Sequence, residues 1–169
     1  MLWRVRPLRS SRPLLLLLVL VLAACKTMYP DIDQRTSQGP TAEELWTVQV
    51  MQQTGRAPSF EEKRHFDDDL DDRVGRYLRE NQEAASASTL MSFRALKQVT
   101  VGMEKGQVET LLGPPLTTTK DAAQMRNFAR RHWSEIRGKA DEAWSYPRGW
   151  VFYFSKSKVI DITQHLSRT

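Results

Sequence analysis

Three consecutive runs of aromatic and β-branched residues constrain the fold of this chain more than any other feature. The runs are Trp144–Tyr146, Trp150–Phe154 and Val159–Ile162. Residues of these types favour β-strands, and the segments between them, 147–149 and 155–158, are short enough to form hairpin turns. The pattern therefore predicts that the C-terminal third folds as an antiparallel meander of three strands.

Alternation within these strands indicates which side chains share a face of the sheet. Successive residues of a strand point to opposite faces, so Trp144 and Tyr146 lie on one face of their strand. Trp150 and Phe152 share a face of the next strand in the same way. We expect Trp144 and Phe152 in the core. We expect Tyr146 or Trp150 to face outward, because aromatic residues dominate protein-binding hot spots.

Two helices are predicted before the meander is reached. Thr41, followed by acidic residues, begins a helix that we expect to end near Gln53. Ser59-Phe-Glu-Glu is a capping box, and it begins a second helix that we expect to end near Glu80. Apolar residues then recur at helical spacing along this second helix, which indicates one buried stripe.

The middle of the chain predicts a helix pair. Two amphipathic stretches, at residues 90–99 and 104–112, are separated by Gly102 and read as a hairpin of short helices. A first strand at 116–119 and an inserted helix at 120–141 follow them. Together with the meander these elements predict an α+β fold, in which a helix pair packs on a small antiparallel β-sheet and additional helices precede it.

The first 24 residues have the parts of a bacterial secretory signal. Four arginines precede an apolar run of eleven residues, Leu14–Ala24, whereas a membrane-spanning helix needs about 20. The ending Leu22-Ala-Ala-Cys25 resembles a lipobox, in which a peptidase cleaves before the cysteine and the thiol receives diacylglycerol. The alternative is an ordinary secretory signal followed by an incidental free cysteine.

Lipidation at Cys25 gives this unpaired cysteine a role. It is the one cysteine of the chain, so an internal disulfide is excluded. Two or three acyl chains, at about 0.8 kcal/mol per buried methylene, make a stable anchor without a transmembrane helix. Lys26 is not the aspartate that usually retains a lipoprotein in the inner membrane, so we predict a lipid-anchored protein on the periplasmic face of the outer membrane.

Removal of the signal changes the charge and defines the organisation of the chain. The net charge of +5 for the full chain includes four signal arginines. Without them 21 basic and 20 acidic residues remain, and the resulting net charge of +1 does not favour nucleic-acid binding. We divide the chain into a signal peptide at 1–24, a flexible tether at 25–40, a helical N-terminal extension at 41–89 and a helix-pair and sheet module at 90–169.

Catalytic and metal-binding patterns are weak in this sequence. The acidic run Asp67–Asp72 lacks the glycine and glutamate of a calcium loop, because Asp72 and Leu78 stand at those positions, and it reads as a solvated helix face. His65, His132 and His165 are isolated in sequence and belong to no metal or catalytic motif. We therefore predict no catalytic residue, metal, cofactor or small-molecule substrate.

The run from Phe93 to Pro115, followed by Trp144-Ser-Tyr and Val151-Phe-Tyr-Phe, resembles the SmpA/OmlA (BamE-like) family of small outer-membrane lipoproteins. The shared positions are Gly102, Met103, Leu112, Gly113, Pro115, Trp144 and Tyr146. The resemblance covers residues 90–165 and implies the fold of a helix pair on a small sheet, as in β-lactamase inhibitor proteins. It also implies a non-enzymatic accessory of β-barrel assembly that binds other lipoproteins. The long insertion at 120–141 departs from the family pattern.

These observations predict an envelope lipoprotein that binds proteins as an accessory or scaffold. The residues assigned to its partner-binding surface are Tyr146, Trp150, Pro115 and Leu116. One alternative is a periplasmic inhibitor or regulator that docks its sheet face onto an enzyme. Another is an envelope hydrolase whose site follows no familiar motif.

Overall fold

The computed structural model describes residues 31–85 and 87–167, which form an α+β fold and confirm the predicted fold class. The strands are β1 (Ile32–Thr36), β2 (Gln38–Thr41), β3 (Gln98–Thr100), β4 (Thr117–Thr119), β5 (Glu142–Tyr146), β6 (Trp150–Ser155) and β7 (Lys158–Leu166). The helices are α1 (Ala42–Thr54), α2 (Phe60–Glu80), α3 (Gln82–Ala85), α4 (Lys105–Leu112), α5 (Ala122–Ala129) and α6 (Trp133–Ile136). Short turns of π- or 3₁₀-helix lie at Met91–Ala95, Arg130–His132 and Pro147–Gly149.

The main sheet is antiparallel, with the strand order β1-β7-β6-β5-β4, and β2 pairs with β3 in a separate two-stranded sheet. The predicted meander is confirmed as β5, β6 and β7, in which Trp144 lies opposite Phe152 and Phe152 opposite Ile162. The predicted first strand is confirmed as β4. The hairpin between β6 and β7 turns without glycine, since Lys156 and Ser157 both adopt positive φ angles, of 48° and 67°.

One face of the main sheet packs against α1, α2 and α4. The buried residues of this core are Ala42, Leu45, Leu70, Val74, Phe93, Val99, Met103, Val108, Leu111, Trp144, Tyr146, Trp150, Phe152, Phe154, Val159 and Ile162. Aromatic residues from the strands supply much of its volume, as the runs in the sequence indicated. Their contacts with neighbouring rings include Tyr146 on Phe152, with ring centroids 5.3 Å apart.

The helical N-terminal extension predicted at 41–89 packs into the same domain as the sheet. Leu45 of α1 and Leu70 and Val74 of α2 lie in the same core as Phe152, and the described residues from Ile32 onward form one compact unit. Residues four apart on a helix point to the same side, so Leu70 and Val74 together present one apolar stripe to the sheet. These helices are therefore part of the domain.

The helix pair on the sheet also differs from the predicted one. The stretch at 90–99 forms only a five-residue π-helical turn, Met91–Ala95, before it enters β3. The neighbour of α4 is instead α2, and the two helices approach closely at Gly106. A Cβ atom at Gly106 would lie 2.9 Å from Cε2 of Tyr77, so the absence of a side chain permits this contact.

The predicted tether extends too far along the chain. Residues 32–36 form β1 at the edge of the main sheet, where each residue from Ile32 to Thr36 pairs with one of β7. Residues 38–41 form β2, and Gly39 and Pro40 are buried. The polar sequence of β1 suits an edge strand, whose side chains make polar contacts: Gln34 Nε2 donates to Gln164 Oε1 at 2.9 Å. The prediction of a flexible segment up to residue 40 is therefore wrong from Ile32 onward.

The inserted segment at 120–141 covers the second face of the sheet. It is helical as predicted, but it breaks at Arg130–His132 into α5 and α6. The buried residues of this second core are Met125, Ala129, Ile136, Ala143, Val151 and Tyr153. The sheet thus lies between two layers, one of long helices and one of short helices.

The ion pair of Lys105 with Glu142 joins α4 to the sheet, and Trp144 of the same strand donates a second hydrogen bond to Glu142. Its carboxylate accepts from Lys105 Nζ at 2.8 Å and from Trp144 Nε1 at 2.5 Å, and the Lys105 ammonium lies 5.3 Å from the ring centroid of Phe154. Burial opposes the ionisation of Glu142, but the hydrogen bonds from Lys105 and Trp144 outweigh it and lower the pKa of the carboxyl. This contact stabilises the packing of α4 on β5.

Candidate protein-binding surface

The structure places the predicted partner-binding residues in two different environments. Tyr146 and Trp150 are buried, with 3% and 6% of their surface exposed, so the prediction that one of them faces outward is wrong. Both residues share the sheet face that the long helices cover. The Tyr146 hydroxyl donates to the carbonyl oxygen of Gly113 at 2.8 Å, and burial, followed by the charge of Glu109, raises the pKa of that hydroxyl. These two aromatic residues stabilise the core.

Pro115 and Leu116 lie before β4, at one end of the sheet. Pro115 is half-buried, whereas Leu116 is 69% exposed. The Leu116 amide donates to the carbonyl oxygen of Ser145 at 2.9 Å, which holds the backbone in place while the side chain points away from the core. Leu116 is therefore the residue of the predicted set that is available to contact another molecule. Cys25 and the predicted signal peptide lie outside the described residues.

The alternative of docking through the sheet face requires an open face of the sheet. One face packs on the long helices, and the other face is covered by α5 and α6. Polar contacts fasten this second cover to β1: Asp33 Oδ2 lies 3.0 Å from Arg131 Nε, and Arg35 forms an ion pair with Glu135. A partner that approached the sheet would first have to displace these helices.

The most exposed large apolar side chain of the described residues, Phe60, lies where α1 meets α2. We call residues 49–60 the helical tip; of its residues, Val50 is half-buried, Pro58 is buried and the others are exposed. Phe60 is 76% exposed and Met51 is 50% exposed. The buried residues of α1, Ala42 and Leu45, lie near its beginning, so its later turns extend away from the core. The tip therefore offers an aromatic and a thioether side chain to solvent.

Strong local contacts fix the loop within the helical tip. Both terminal nitrogens of the Arg56 guanidinium donate to the Glu62 carboxylate at 2.8 Å, and this carboxylate also accepts from the Ser59 amide at 2.7 Å. Hydrogen bonds from Arg56, and next from the Ser59 backbone, lower the pKa of Glu62 to about 2. Gly55 ends α1 with a left-handed φ of 73°. The capping box predicted at Ser59 is thus confirmed, and it orients the exposed Phe60.

Aromatic stacking between α1 and α2 stabilises the base of the helical tip. Trp46 of α1 stacks on Phe66 of α2, with ring centroids 4.4 Å apart and an interplanar angle of 12°, and both rings are half-buried. Lys63 Nζ also donates to Glu43 Oε1 at 2.8 Å. Because these contacts fix α1 against α2, the tip is held in place before any partner binds, which lowers the entropy cost of binding.

The sequence contained one signal of this surface. Phe60 lies six residues before Phe66 and therefore off the stripe that Phe66, Leu70 and Val74 form at helical spacing. A large apolar residue off the buried stripe of a helix points to solvent or to a partner. The exposure of Met51 could not be predicted in this way, because α1 has no clear apolar stripe from which Met51 could be seen to deviate.

The histidines lie in different environments. His65 is exposed on α2. His132 is half-buried, and its Nε2 lies 3.3 Å from Oδ1 of Asp33. His165 is also half-buried and lies opposite Asp33 in the pairing of β1 with β7. Both ring nitrogens of His165 are buried and have no hydrogen-bond partner in the described part of the chain. Asp33 is already paired with Arg131, so this cluster joins the inserted segment to β1.

The described residues hold neither a cluster of metal ligands nor a helix that could span a membrane. Between 31 and 167, with residue 86 left aside, no three His, Cys, Asp or Glu side chains are grouped so as to hold a metal ion. The acidic run of α2 is largely exposed, as expected, and Asp71 Oδ1 lies 3.0 Å from Lys97 Nζ. In the described part of the chain, no helix has both the length and the apolar character to cross a membrane.

Comparison of the chain with protein-family models, with curated proteins and with solved structures finds no match. The resemblance to the SmpA/OmlA family therefore stays a prediction from the motifs.

Proposed function

We propose that this chain is a non-enzymatic envelope lipoprotein, anchored through lipid on Cys25 at the periplasmic face of the outer membrane, that binds a protein partner. The observation that carries the binding role is the helical tip, where Phe60 and Met51 are exposed on a braced frame. Large apolar side chains of this kind supply most of the affinity in protein interfaces when a partner buries them.

The lipid anchor rests on the sequence. Basic residues, a short apolar run and the Leu-Ala-Ala-Cys ending occur in the order that lipoprotein processing requires. In the mature protein the residues 26–31 alone separate Cys25 from the first residue of β1. Such an anchor keeps the domain at the membrane, where envelope partners are concentrated.

Phe60→Ser is expected to weaken partner binding about thirtyfold, because the loss of a buried hot-spot side chain costs about 2 kcal/mol. Met51→Ser is expected to have a smaller effect in the same direction. The measurement is affinity purification of the full-length protein from its native envelope in mild detergent, with quantitative mass spectrometry of the bound proteins.

Leu96→Ser is the matched control, because Leu96 is 53% exposed and lies outside the tip. Unchanged recovery of every bound protein with Phe60→Ser, or an equal loss with Leu96→Ser, would contradict binding through the tip. Barrel-assembly components among the proteins lost with Phe60→Ser would extend the proposal to β-barrel assembly, which the resemblance implies. Recovery of a soluble periplasmic protein instead would count against that extension.

A further inference from the structure

The first described strand begins at one end of the main sheet, and several exposed side chains lie at the same end. Ile32 at the start of β1 lies opposite Leu166 at the end of β7. On the neighbouring strands, Tyr146 lies opposite Trp150, and the turn Pro147–Gly149 joins them. We call this the anchor-side end of the sheet. The opposite end carries the hairpin of Lys156 and Ser157.

Leu116 belongs to the anchor-side end as well. It immediately precedes Thr117, which lies opposite Ser145 near the end of β5. Leu116 is 69% exposed and Leu166 is 37% exposed, whereas most of the apolar residues in the strands between them are buried. Arg148 is exposed in the turn, and Arg131 Nη2 donates to the carbonyl oxygen of Asp33 in β1 at 2.6 Å. Apolar side chains can enter the interfacial layer of a bilayer while arginines keep their charged ends among the headgroups.

Chain length limits which end of the domain can meet the membrane. An extended chain spans at most about 3.5 Å per residue, so the seven steps from Cys25 to Ile32 reach about 25 Å. The hairpin at the far end lies about 26 Å further along β7, at about 3.3 Å per residue. A lipid on Cys25 therefore holds the anchor-side end near the bilayer. The far end of the sheet can touch the bilayer only if the domain lies on its side.

We propose that the anchor-side end of the sheet rests on the membrane surface, with Leu116 and Leu166 in the interfacial layer and Arg148 facing anionic headgroups. This inference rests on the proposed lipid anchor at Cys25. The occupant of this surface is thus a lipid bilayer, and the orientation leaves the Lys156–Ser157 hairpin pointing into the periplasm.

The test uses the full-length, lipidated protein in vesicles made of equal parts phosphatidylcholine and phosphatidylserine. Leu116→Cys and, as the matched control at the far end, Lys156→Cys each receive an environment-sensitive fluorophore; the acylated Cys25 has no free thiol to react. A nitroxide on the lipid headgroups then quenches fluorophores that touch the membrane. We expect quenching and a blue-shifted emission for the label at Leu116→Cys, and neither for the label at Lys156→Cys.

Arg148→Glu should reduce the quenching at Leu116→Cys, and pure phosphatidylcholine vesicles should remove that effect.

Vesicle flotation separates the two proposals. If the protein floats with the vesicles but Leu116→Cys is not quenched, or is quenched no more than Lys156→Cys, the membrane-facing surface is overturned and the anchor stands. If the protein carries no acyl chains and does not float, both proposals are overturned.

Discussion

Gly149→Ala is expected to destabilise the domain by about 4 kcal/mol, measured as a lower midpoint in urea unfolding of the chain from Lys26 onward. A Cβ atom at Gly149 would lie 1.7 Å from the carbonyl oxygen of His165, and the φ of Gly149 is +71°. The obstacle is backbone of β7, held in register by the pairing of Trp150 with Gln164 on the adjoining strands, so it cannot rotate away. The alanine must therefore force the turn off the sheet.

Gly55→Ala provides the matched control for this prediction. Gly55 has nearly the same φ, +73°, but nothing lies within 4 Å of a Cβ placed there. Gly55→Ala should lower the free energy of unfolding only by the cost of placing alanine in the left-handed conformation, about 1 kcal/mol. The difference between the two variants then measures the steric contact with β7. Equal losses would show that the turn at 147–149 does not pack against His165 as described.

Leu70→Ala is expected to lower the free energy of unfolding by about 3 kcal/mol while unfolding stays a single transition. Leu70 is fully buried, with 0% of its surface exposed, and it packs in the core that contains the sheet aromatics. Its removal leaves a cavity between α2 and the sheet. The whole domain should lose stability, because α2 belongs to the same core as the meander.

The neighbouring Asp69→Ala is the control, since Asp69 is exposed on the other side of α2 and should change stability by less than about 0.5 kcal/mol. Separate unfolding of the helices before the sheet in Leu70→Ala would contradict a shared core. A loss no larger than that of Asp69→Ala would have the same meaning.

The meander could be predicted because its signals are local. Aromatic and β-branched residues alternate within a few positions, and short turns separate the runs, so neighbouring strands pair with one another. β1 could not be predicted from local signals, because its side chains are polar and its partner, β7, lies far along the chain. Gln34 of β1, for example, is hydrogen-bonded to Gln164 of β7 at a separation of 130 residues. A polar segment of this kind becomes a strand only when a sheet edge is available to pair with it.

The candidate site was harder to predict for a related reason. Alternation places Tyr146 and Trp144 on the same face of β5, but it does not say which layers cover that face. The sequence of α2 does not show that its stripe will pack over these rings, nor that the insertion will cover the other face. Once both faces are covered, the aromatic residues of the strands are buried, and the most exposed large apolar side chains include Phe60 at the helical tip and Leu116 before β4.

Mass spectrometry of the N-terminal peptide of the protein isolated from its envelope decides whether Cys25 carries the lipid anchor. We predict a mature chain that begins at Cys25 and carries diacylglycerol in thioether linkage to its sulfur. A mature chain that begins at another residue and keeps Cys25 as a free thiol, open to alkylation, would contradict it.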